Sequence, residues 1–299
     1  MWKFNVEQKV SEIGGVKVGG NPGERPAVLI GSIFYHKHKI VIDEAKGEFD
    51  RKKAEELINL QDDFSERTGN PCMVDVVGSK PEVIATYLEF VANITQAPML
   101  LGGTTPEVRA TGLKYAEECG LTGRLVYNSL TPDFKPEELE RIRNAGVKSV
   151  LLLAYYMKDF TSKGRITAIH EMLNRLQGAG IENILVDTCV IDLASFGQAL
   201  QAIYTVKDEM GLPAGCGAHN ATSLWRGLKA KMGDEAVKPC LATASTTTVA
   251  VGGDFVLYGP IGNAKYIFPA VAMVDTAYSQ LIIEQGKPLD KKHPRYRIS

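Results

Sequence analysis

The chain has 299 residues, 44% hydrophobic and 23% charged, an ordinary globular composition whose length suits one α/β barrel or two small domains. Lysine and arginine total 34 against 35 aspartates and glutamates, so the formal net charge is -1 and no whole-chain field draws in nucleic acid or an acidic membrane. Five cysteines, Cys72, Cys119, Cys189, Cys216 and Cys240, are scattered, odd in number and never in a C-x-x-C pair. That argues against a disulfide framework or a structural zinc site and for reduced thiols in a cytoplasm.

The N-terminal MWKFNVEQKV lacks the basic-then-apolar order of a secretory signal. No apolar run approaches the roughly 20 residues needed to span a bilayer, so membrane association is expected only through a partner. Residues 4–18 form two alternating segments around Gly14-Gly15, a hairpin signal. This N-terminal hairpin, about 3–20, can cover the N-terminal end of a barrel. The long loop 34–49 starts with a basic, histidine-containing stretch; its H-x-H pair, His36 and His38, suits a solvated lid or a partner contact better than a metal.

From there one unit repeats: a short apolar run, a polar loop, an amphipathic helical pattern. The runs are 27–33, 72–77, 98–101, 124–127, 149–154, 183–186, 213–217 and 254–258, too short for helices and several rich in β-branched residues, as buried strands are. Helical stretches are expected at 52–66, 81–94, 106–119, 136–144, 165–177 and 195–210. Thr105-Pro106 is a helix start, and Cys119-Gly120 and Ala145-Gly146 are glycine stops. About eight such alternations predict a (β/α)8 TIM barrel, one domain over 1–299. A Rossmann-type sheet needs a glycine-rich turn after its first strand, where this chain reads FYHKHK. A C-terminal helix and tail fill about 262–299; the apolar excess of 264–284 suggests a contact between copies of the chain, hence a homodimer. Lys291, Lys292, Arg295 and Arg297 read as a solvated or subunit-contacting end.

A barrel places its chemistry at the C-terminal ends of its strands. Those ends carry Asp75, Thr104, Asn128-Ser129, Asp187-Thr188, His219-Asn220 and Asn263. The set is rich in amides and isolated carboxylates and lacks a nucleophile with a base, which suits recognition of a hydrogen-bonding heterocycle. Asp187 can accept two parallel N–H bonds from a guanidine-like edge, or cap the next helix. Gly215 and Gly217 let a flat ligand approach the backbone. Asn220 has donor and acceptor on one short side chain, useful for a ring nitrogen whose protonation changes, or it caps the helix containing Ser223 and Trp225. Asn128-Ser129 can do the same rim work or form a turn. His219, with no second ligand at metal spacing, reads as packed or hydrogen-bonded; no metal is expected. Cys72 and Cys216 read as small core residues, and Gly252-Gly253-Asp254 as a tight turn.

Several segments resemble the H subunit of tetrahydromethanopterin S-methyltransferase and its bacterial relatives. They are Val16-Lys17-Val18-Gly19-Gly20-Asn21-Pro22-Gly23-Glu24, Ile33-Phe34-Tyr35, Thr68-Gly69-Asn70-Pro71, Tyr127-Asn128-Ser129, Val186-Asp187-Thr188, Gly217-Ala218-His219-Asn220 and Gly252-Gly253-Asp254-Phe255-Val256-Leu257-Tyr258-Gly259-Pro260. The resemblance covers nearly the whole chain and implies a TIM barrel of the pterin-binding type. It implies that Asp187, after the sixth barrel strand, holds the pterin's amino-pyrimidine edge. It also implies that Asn220, after the seventh, reaches N5 as the catalytic residue, with Gly217, Asn128, Ser129 and Asp75 as further pterin contacts. Where the family commonly has aspartate and serine after the third strand, this chain has Gly102-Gly103, and Gly262 replaces a more usual glutamate. Asp75 is the candidate replacement for the missing carboxylate.

A near-neutral isoelectric point and ordinary acidity favour the bacterial branch, the methylcobamide:tetrahydrofolate methyltransferases of the type found in glycine betaine metabolism. The implied reaction moves a methyl group from a methylcob(III)alamin protein to N5 of tetrahydrofolate, giving 5-methyltetrahydrofolate and cob(I)alamin. No D-x-H-x-x-G corrinoid element is present, so the cobalamin is expected on a partner protein docking at the barrel mouth. The alternatives are methyl transfer between tetrahydromethanopterin and a corrinoid subunit, and a non-catalytic docking subunit.

Overall fold

A computed structural model describes residues 3–298. An antiparallel hairpin, β1 (Val10–Ile13) and β2 (Val16–Gly19), comes first, then β3 (Val28–Ile33) and a small hairpin, β4 (Val41–Asp43) and β5 (Glu48–Phe49). Helix α1 (Arg51–Thr68) follows, then β6 (Cys72–Gly78), α2 (Pro81–Ile94), β7 (Met99–Gly103), α3 (Pro106–Glu118), β8 (Leu125–Leu130) and α4 (Pro136–Asn144). The second half runs β9 (Ser149–Leu153), α5 (Ser162–Leu176), β10 (Asn183–Asp187), α6 (Leu193–Glu209) and β11 (Ala214–Cys216). Three helices, α7 (His219–Ser223), α8 (Leu228–Met232) and α9 (Val237–Ala250), precede β12 (Phe255–Pro260) and α10 (Ala264–Glu284). Strands β3 and β6 to β12 pair in parallel as a closed barrel of eight, β12 returning to β3. The (β/α)8 barrel with an N-terminal hairpin is the architecture expected from the alternation.

Side chains alternate in and out along each strand. The inward set forms one apolar cluster: Val28 and Ile30, Met73, Leu100, Val126, Leu151, Leu185, Phe255 and Leu257. Ile13 and Val18 of the hairpin are 1% exposed and belong to the same cluster, so the hairpin stoppers the N-terminal end of the barrel. The outward set packs under the helices. Local chemistry agrees with the helix boundaries: Asp50 caps α1 and Thr105 caps α3 by accepting backbone N–H bonds, and α3 begins on Pro106.

Three expectations need correction. The loop 34–49 is not a loose lid. Phe34 and Phe49 stack with Tyr87 and Phe90 of α2, and β4 and β5 form between them. His36 pairs with Glu44 while buried His38 accepts from the Phe34 N–H, so the two rings face different partners. Residues Ile261–Glu284 are, by length and composition, long and apolar enough to cross a membrane. In the fold this helix packs on α1 and α9, and its buried Asp275 accepts from Asn70 Nδ2 (2.6 Å) and the Ala27 N–H (3.1 Å). Finally, α9 is a full helix where no helix was expected.

A buried ion pair ties the lower barrel together. Lys207 of α6 is fully buried; its Nζ donates to both carboxylate oxygens of Asp254 at 2.8 Å and to the Gly20 carbonyl at 2.9 Å. Asp254 also accepts from the Ala214 N–H at 2.9 Å, so one contact joins the hairpin's end, α6, β11 and the start of β12. Burial raises the Asp254 pKa and Lys207 opposes that rise. Lys207→Met leaves that carboxylate buried without its cation. It is expected to destabilise the fold by about 3–5 kcal/mol, read as a shifted urea midpoint.

Candidate functional site

The inward alternation continues one step above the apolar cluster. Ser32 follows Ile30, Asp75 follows Met73, Gly102 follows Leu100, Asn128 follows Val126, Leu153 follows Leu151 and Asp187 follows Leu185. The same period of two that fills the barrel with aliphatic side chains therefore ends it in a polar layer at the C-terminal mouth. Two of the expected residues meet directly: Asn128 Nδ2 donates to Asp75 Oδ1 at 3.0 Å. Ser32, which lies inside the apolar run 27–33 of the sequence, completes this group by donating to Asp75 Oδ2 at 2.7 Å. Asn128 is thus a strand residue aimed inward and not a turn residue. Ser129 lies where the pairing of β8 with β9 skips from Asn128 to Leu130.

A second group forms on β10 and the turn after β11. Asp187 Oδ1 accepts the Cys189 N–H at 2.8 Å, and the carboxylate also takes a hydrogen bond from the Gly217 backbone. The Asn220 N–H donates to the Gly217 carbonyl at 3.0 Å, and Asn220 Nδ2 donates to the Val190 carbonyl at 3.0 Å. Asp187, Gly217 and Asn220 are therefore neighbours. Neither polar residue is a helix cap: Asp192 caps α6 through a capping box with Ser195, and Asn220 lies inside α7. An amide nitrogen has two protons, so the bond to Val190 leaves Asn220 one N–H and its Oδ1.

Burial is the largest influence on Asp187, pushing its pKa up to about 6, with the two backbone hydrogen bonds and the charge of Arg165 opposing. Burial also raises Asp75, with Ser32 and Asn128 opposing. In the barrel order, β6 and β10 are four strands apart, so the two carboxylates stand on facing walls. The remaining strand-end residues are held by other partners. His219 Nδ1 donates to the Leu257 carbonyl at 3.1 Å, and burial lowers its pKa. Thr104 donates to the Ser79 carbonyl, and Asn263 accepts from Lys238 of α9 at 2.6 Å, both outside the polar layer. Cys72 and Cys216 are buried, as expected of core thiols, and burial raises both. No group of three metal-ligating side chains occurs among the described residues.

One supporting residue has no signature in the sequence. Arg165 of α5 is 1% exposed; its guanidinium donates to the carbonyls of Thr188 (2.8 Å), Cys189 (3.1 Å) and Phe160. Cys189 has φ 62, a left-handed conformation costly for a residue with a Cβ. Arg165 from one side and Asp187 from the other fix that turn.

Residues 6–287 match the protein family described as the tetrahydromethanopterin S-methyltransferase MtrH subunit. The chain is 39% identical over 309 residues to the H subunit of that enzyme from Methanothermobacter marburgensis, covering 100% of each chain. It is 38% identical over 305 residues to the H subunit of a putative methyltransferase, mtx, from Methanosarcina barkeri, covering 98% of each. Among solved structures it is similar to dihydropteroate synthases. That of Yersinia pestis with a sulfonamide has TM-score 0.63 and 15% identity over 91% of this chain and 100% of that one. That of Coxiella burnetii with pteroic acid has TM-score 0.62 and 13% identity over 91% and 99%. At such identities the likeness shows the fold alone, the closed (β/α)8 barrel.

These findings correct the expected branch. The family and the relatives are those of the methanogen tetrahydromethanopterin enzyme, not of a bacterial tetrahydrofolate methyltransferase, so tetrahydrofolate falls as the expected substrate. Charge balance, which had favoured the bacterial branch, is a property of the solvent-facing shell. It carries no information about a ligand held by a few residues inside the mouth.

Arg165→Met removes the donors from three backbone carbonyls, two of them in the 188–189 turn beside Asp187. It is expected to cost about 1.5–3 kcal/mol of stability in chemical denaturation and to expose the 188–192 backbone to faster hydrogen exchange.

Proposed function

The chain belongs to the family of the tetrahydromethanopterin S-methyltransferase MtrH subunit, and from that membership we propose that it is the pterin-binding catalytic subunit of a methyl transfer between N5 of tetrahydromethanopterin and a corrinoid protein. One observation carries the reading at the site: Asp187 is a buried carboxylate on the inner wall that caps no helix and pairs with no lysine or arginine among the described ion pairs. Such a group is unfavourable until a ligand brings N–H donors to it, and the amino-pyrimidine edge of a pterin offers two in parallel.

In this reading the amino-pyrimidine edge sits on Asp187, with Asn128, Ser129 and the open face of Gly217 beside the ring. The corrinoid arrives on its own protein as the second substrate and supplies a cobalt that exchanges the methyl group. When the methyl leaves N5, the C–N bonding pair stays on nitrogen, and a proton or a strong hydrogen bond must meet it. When the methyl arrives, the N5 lone pair must be free to attack. Asn220 serves both directions, donating through its remaining N–H or accepting through Oδ1 without ionising. Positioning supplies much of the rest, since well-oriented reactants can recover about 7–11 kcal/mol of barrier.

Large apolar side chains are exposed on the loops at this end: Tyr155, Met157 and Phe160 after β9, Leu193 at the start of α6, and Leu224 and Met232 after β11. They support a corrinoid protein docking over the mouth. On the outer shell Tyr266, Met273 and Ile283 of α10 are exposed and would suit a second copy of the chain.

Asn220→Ala is expected to lower methyl transfer between tetrahydromethanopterin and the corrinoid protein about 10²-fold or more while pterin affinity changes little. Unchanged turnover would remove Asn220 from the mechanism, and a wild-type chain that binds the corrinoid protein without turnover would leave only docking. A pH dependence follows from Asp187. The amino-pyrimidine edge needs its charged form, so pterin affinity should climb as pH rises through about 6 and level off above. Asp187→Asn should flatten that titration. Because the folded value lies above the unfolded one, the stability this group contributes is present at low pH and lost as pH rises through about 6. The unliganded Asp187→Asn chain should therefore melt no lower than wild type at pH 7.5, even though it binds pterin poorly.

A further inference from the structure

Asn220 can follow N5 through both of its states, but an amide cannot keep the proton that N5 gives up, so an ionisable group is needed beside it. His219 is the preceding residue, and two glycines border its ring. A Cβ built on Gly259 would meet Cγ, Cδ2 and Cβ of His219 at 2.7, 2.8 and 2.9 Å, so that edge of the ring is packed. Nδ1 donates to the Leu257 carbonyl at 3.1 Å, which fixes the neutral tautomer: Nδ1 carries the proton and Nε2 a lone pair. Among the described residues Nε2 bonds to no protein group, and it is not sealed from solvent. Gly217 borders the opposite edge. It has no left-handed φ, and a Cβ there would lie 3.5 Å from Asn220 Nδ2, 3.7 Å from His219 Cε1 and 3.9 Å from His219 Nδ1, ordinary contact distances. Neither backbone nor packing asks for glycine at 217. Its bare face leaves a slot with the Asn220 amide and the His219 ring as walls.

We propose that His219 is the proton-exchanging catalytic residue of the methyl transfer, its Nε2 taking the N5 proton when the methyl arrives and returning it before the methyl leaves. This rests on the pterin reading above and adds to it the group that ionises. Toward the pterin, the N5 lone pair forms the N–C bond while the Co–C bond breaks and its pair stays on cobalt. The nitrogen is then cationic until its proton moves to Nε2 and on to solvent. In the opposite direction the imidazolium first protonates the methylated N5, so the C–N pair is left on a neutral amine. Burial holds His219 below the ordinary histidine value, with the Leu257 carbonyl opposing, so the ring is neutral and ready to accept at neutral pH. No charged group adds to these two influences. The elements packed on α7 turn theirs elsewhere: Lys238 of α9 holds Asn263, Tyr258 of β12 donates to Gln61, and Asp192 caps α6. Asp187, hydrogen-bonded by the Gly217 backbone, is the other titratable group at this place.

Single-turnover methyl transfer by the full-length chain, with tetrahydromethanopterin and the methylated corrinoid protein, tests this. Saturating pterin keeps the effect of Asp187 on binding out of the readout. Asparagine matches the Nδ1 side of histidine and can still donate to the Leu257 carbonyl, but it offers nothing in place of Nε2. His219→Asn is expected to keep the wild-type melting temperature and calorimetric pterin affinity while the rate falls about 10²-fold or more. The wild-type rate toward the pterin should rise with pH through a value below the ordinary histidine range and then level. In the opposite direction the rate should fall as pH rises, following the protonated fraction, and His219→Asn should lose both limbs. Turnover near wild type in His219→Asn, or wild-type profiles without either limb, overturns the proposal. So does a loss of rate matched by a loss of melting temperature or pterin affinity, which makes the ring an anchor for β12 alone. If Asn220→Ala loses transfer while His219→Asn keeps it, the pterin reading stands and this inference fails. A wild-type chain that binds no tetrahydromethanopterin overturns both.

Discussion

An eight-stranded parallel barrel is wide enough inside for its own side chains and nothing more, and the rest of this molecule follows from that. Its lower interior is filled by Val28, Ile30, Met73, Leu100, Val126, Leu151 and Leu185, with Ile13 and Val18 pressed in from below. The next inward positions have no facing layer above them, so they are the first that can carry polar groups toward a ligand. Ser32, Asp75, Asn128 and Asp187 occupy them. The site is the continuation of the core by one residue pair, and its geometry is as fixed as the strands beneath it. The Lys207 clamp on Asp254 and Gly20 keeps the stopper and strands β11 and β12 together at the other end.

Two buried carboxylates that form no ion pair among the described residues make the mouth electrostatically costly, with Arg165 offsetting only part of that cost at Asp187. Burial raises both pKa values, and hydrogen bonds from Ser32, Asn128 and the backbone of Cys189 and Gly217 offset part of that rise. A cationic side chain would stabilise the resting protein more and would also occupy the acceptors a ligand needs. Stability left out of the free protein is available as binding free energy for a ligand that supplies the missing donors.

Alternation made the barrel legible in the sequence, along with most of the polar layer. Asp187, Asn220 and Asn128 stood at strand ends, and their spacing showed that they were near the mouth. It could not show that Asp192, five residues on, is the true cap of α6, which is what leaves Asp187 available. Ser32 was hidden inside an apolar run because one hydroxyl hardly changes its hydropathy. Arg165 was hidden because a buried guanidinium has the same letter as a solvated one; only the carbonyls of the 188–189 turn reveal it. The helix α9 was missed for a chemical reason: Ser245 to Thr248 have poor helix propensity. In the fold each side-chain hydroxyl bonds back to a carbonyl four residues earlier, and packing of Leu241, Ala244 and Val249 overrides the propensity. Gly102 was read by comparison with an expected aspartate, and the sequence could not show that a Cβ there would stand 2.8 Å from Asp75 Oδ1.

The hairpin under the barrel has a kinetic consequence. A tube stoppered at its base by Ile13 and Val18 is a cul-de-sac, with a single doorway at the strand ends. If the corrinoid protein docks over the mouth as proposed, any small molecule resting on the polar layer would have to enter before that partner closes the doorway and could depart only after the partner has gone. Turnover would then be compulsory in order, first in and last out. A large excess of partner protein should therefore slow the reaction instead of saturating it, by shutting the door on an empty room.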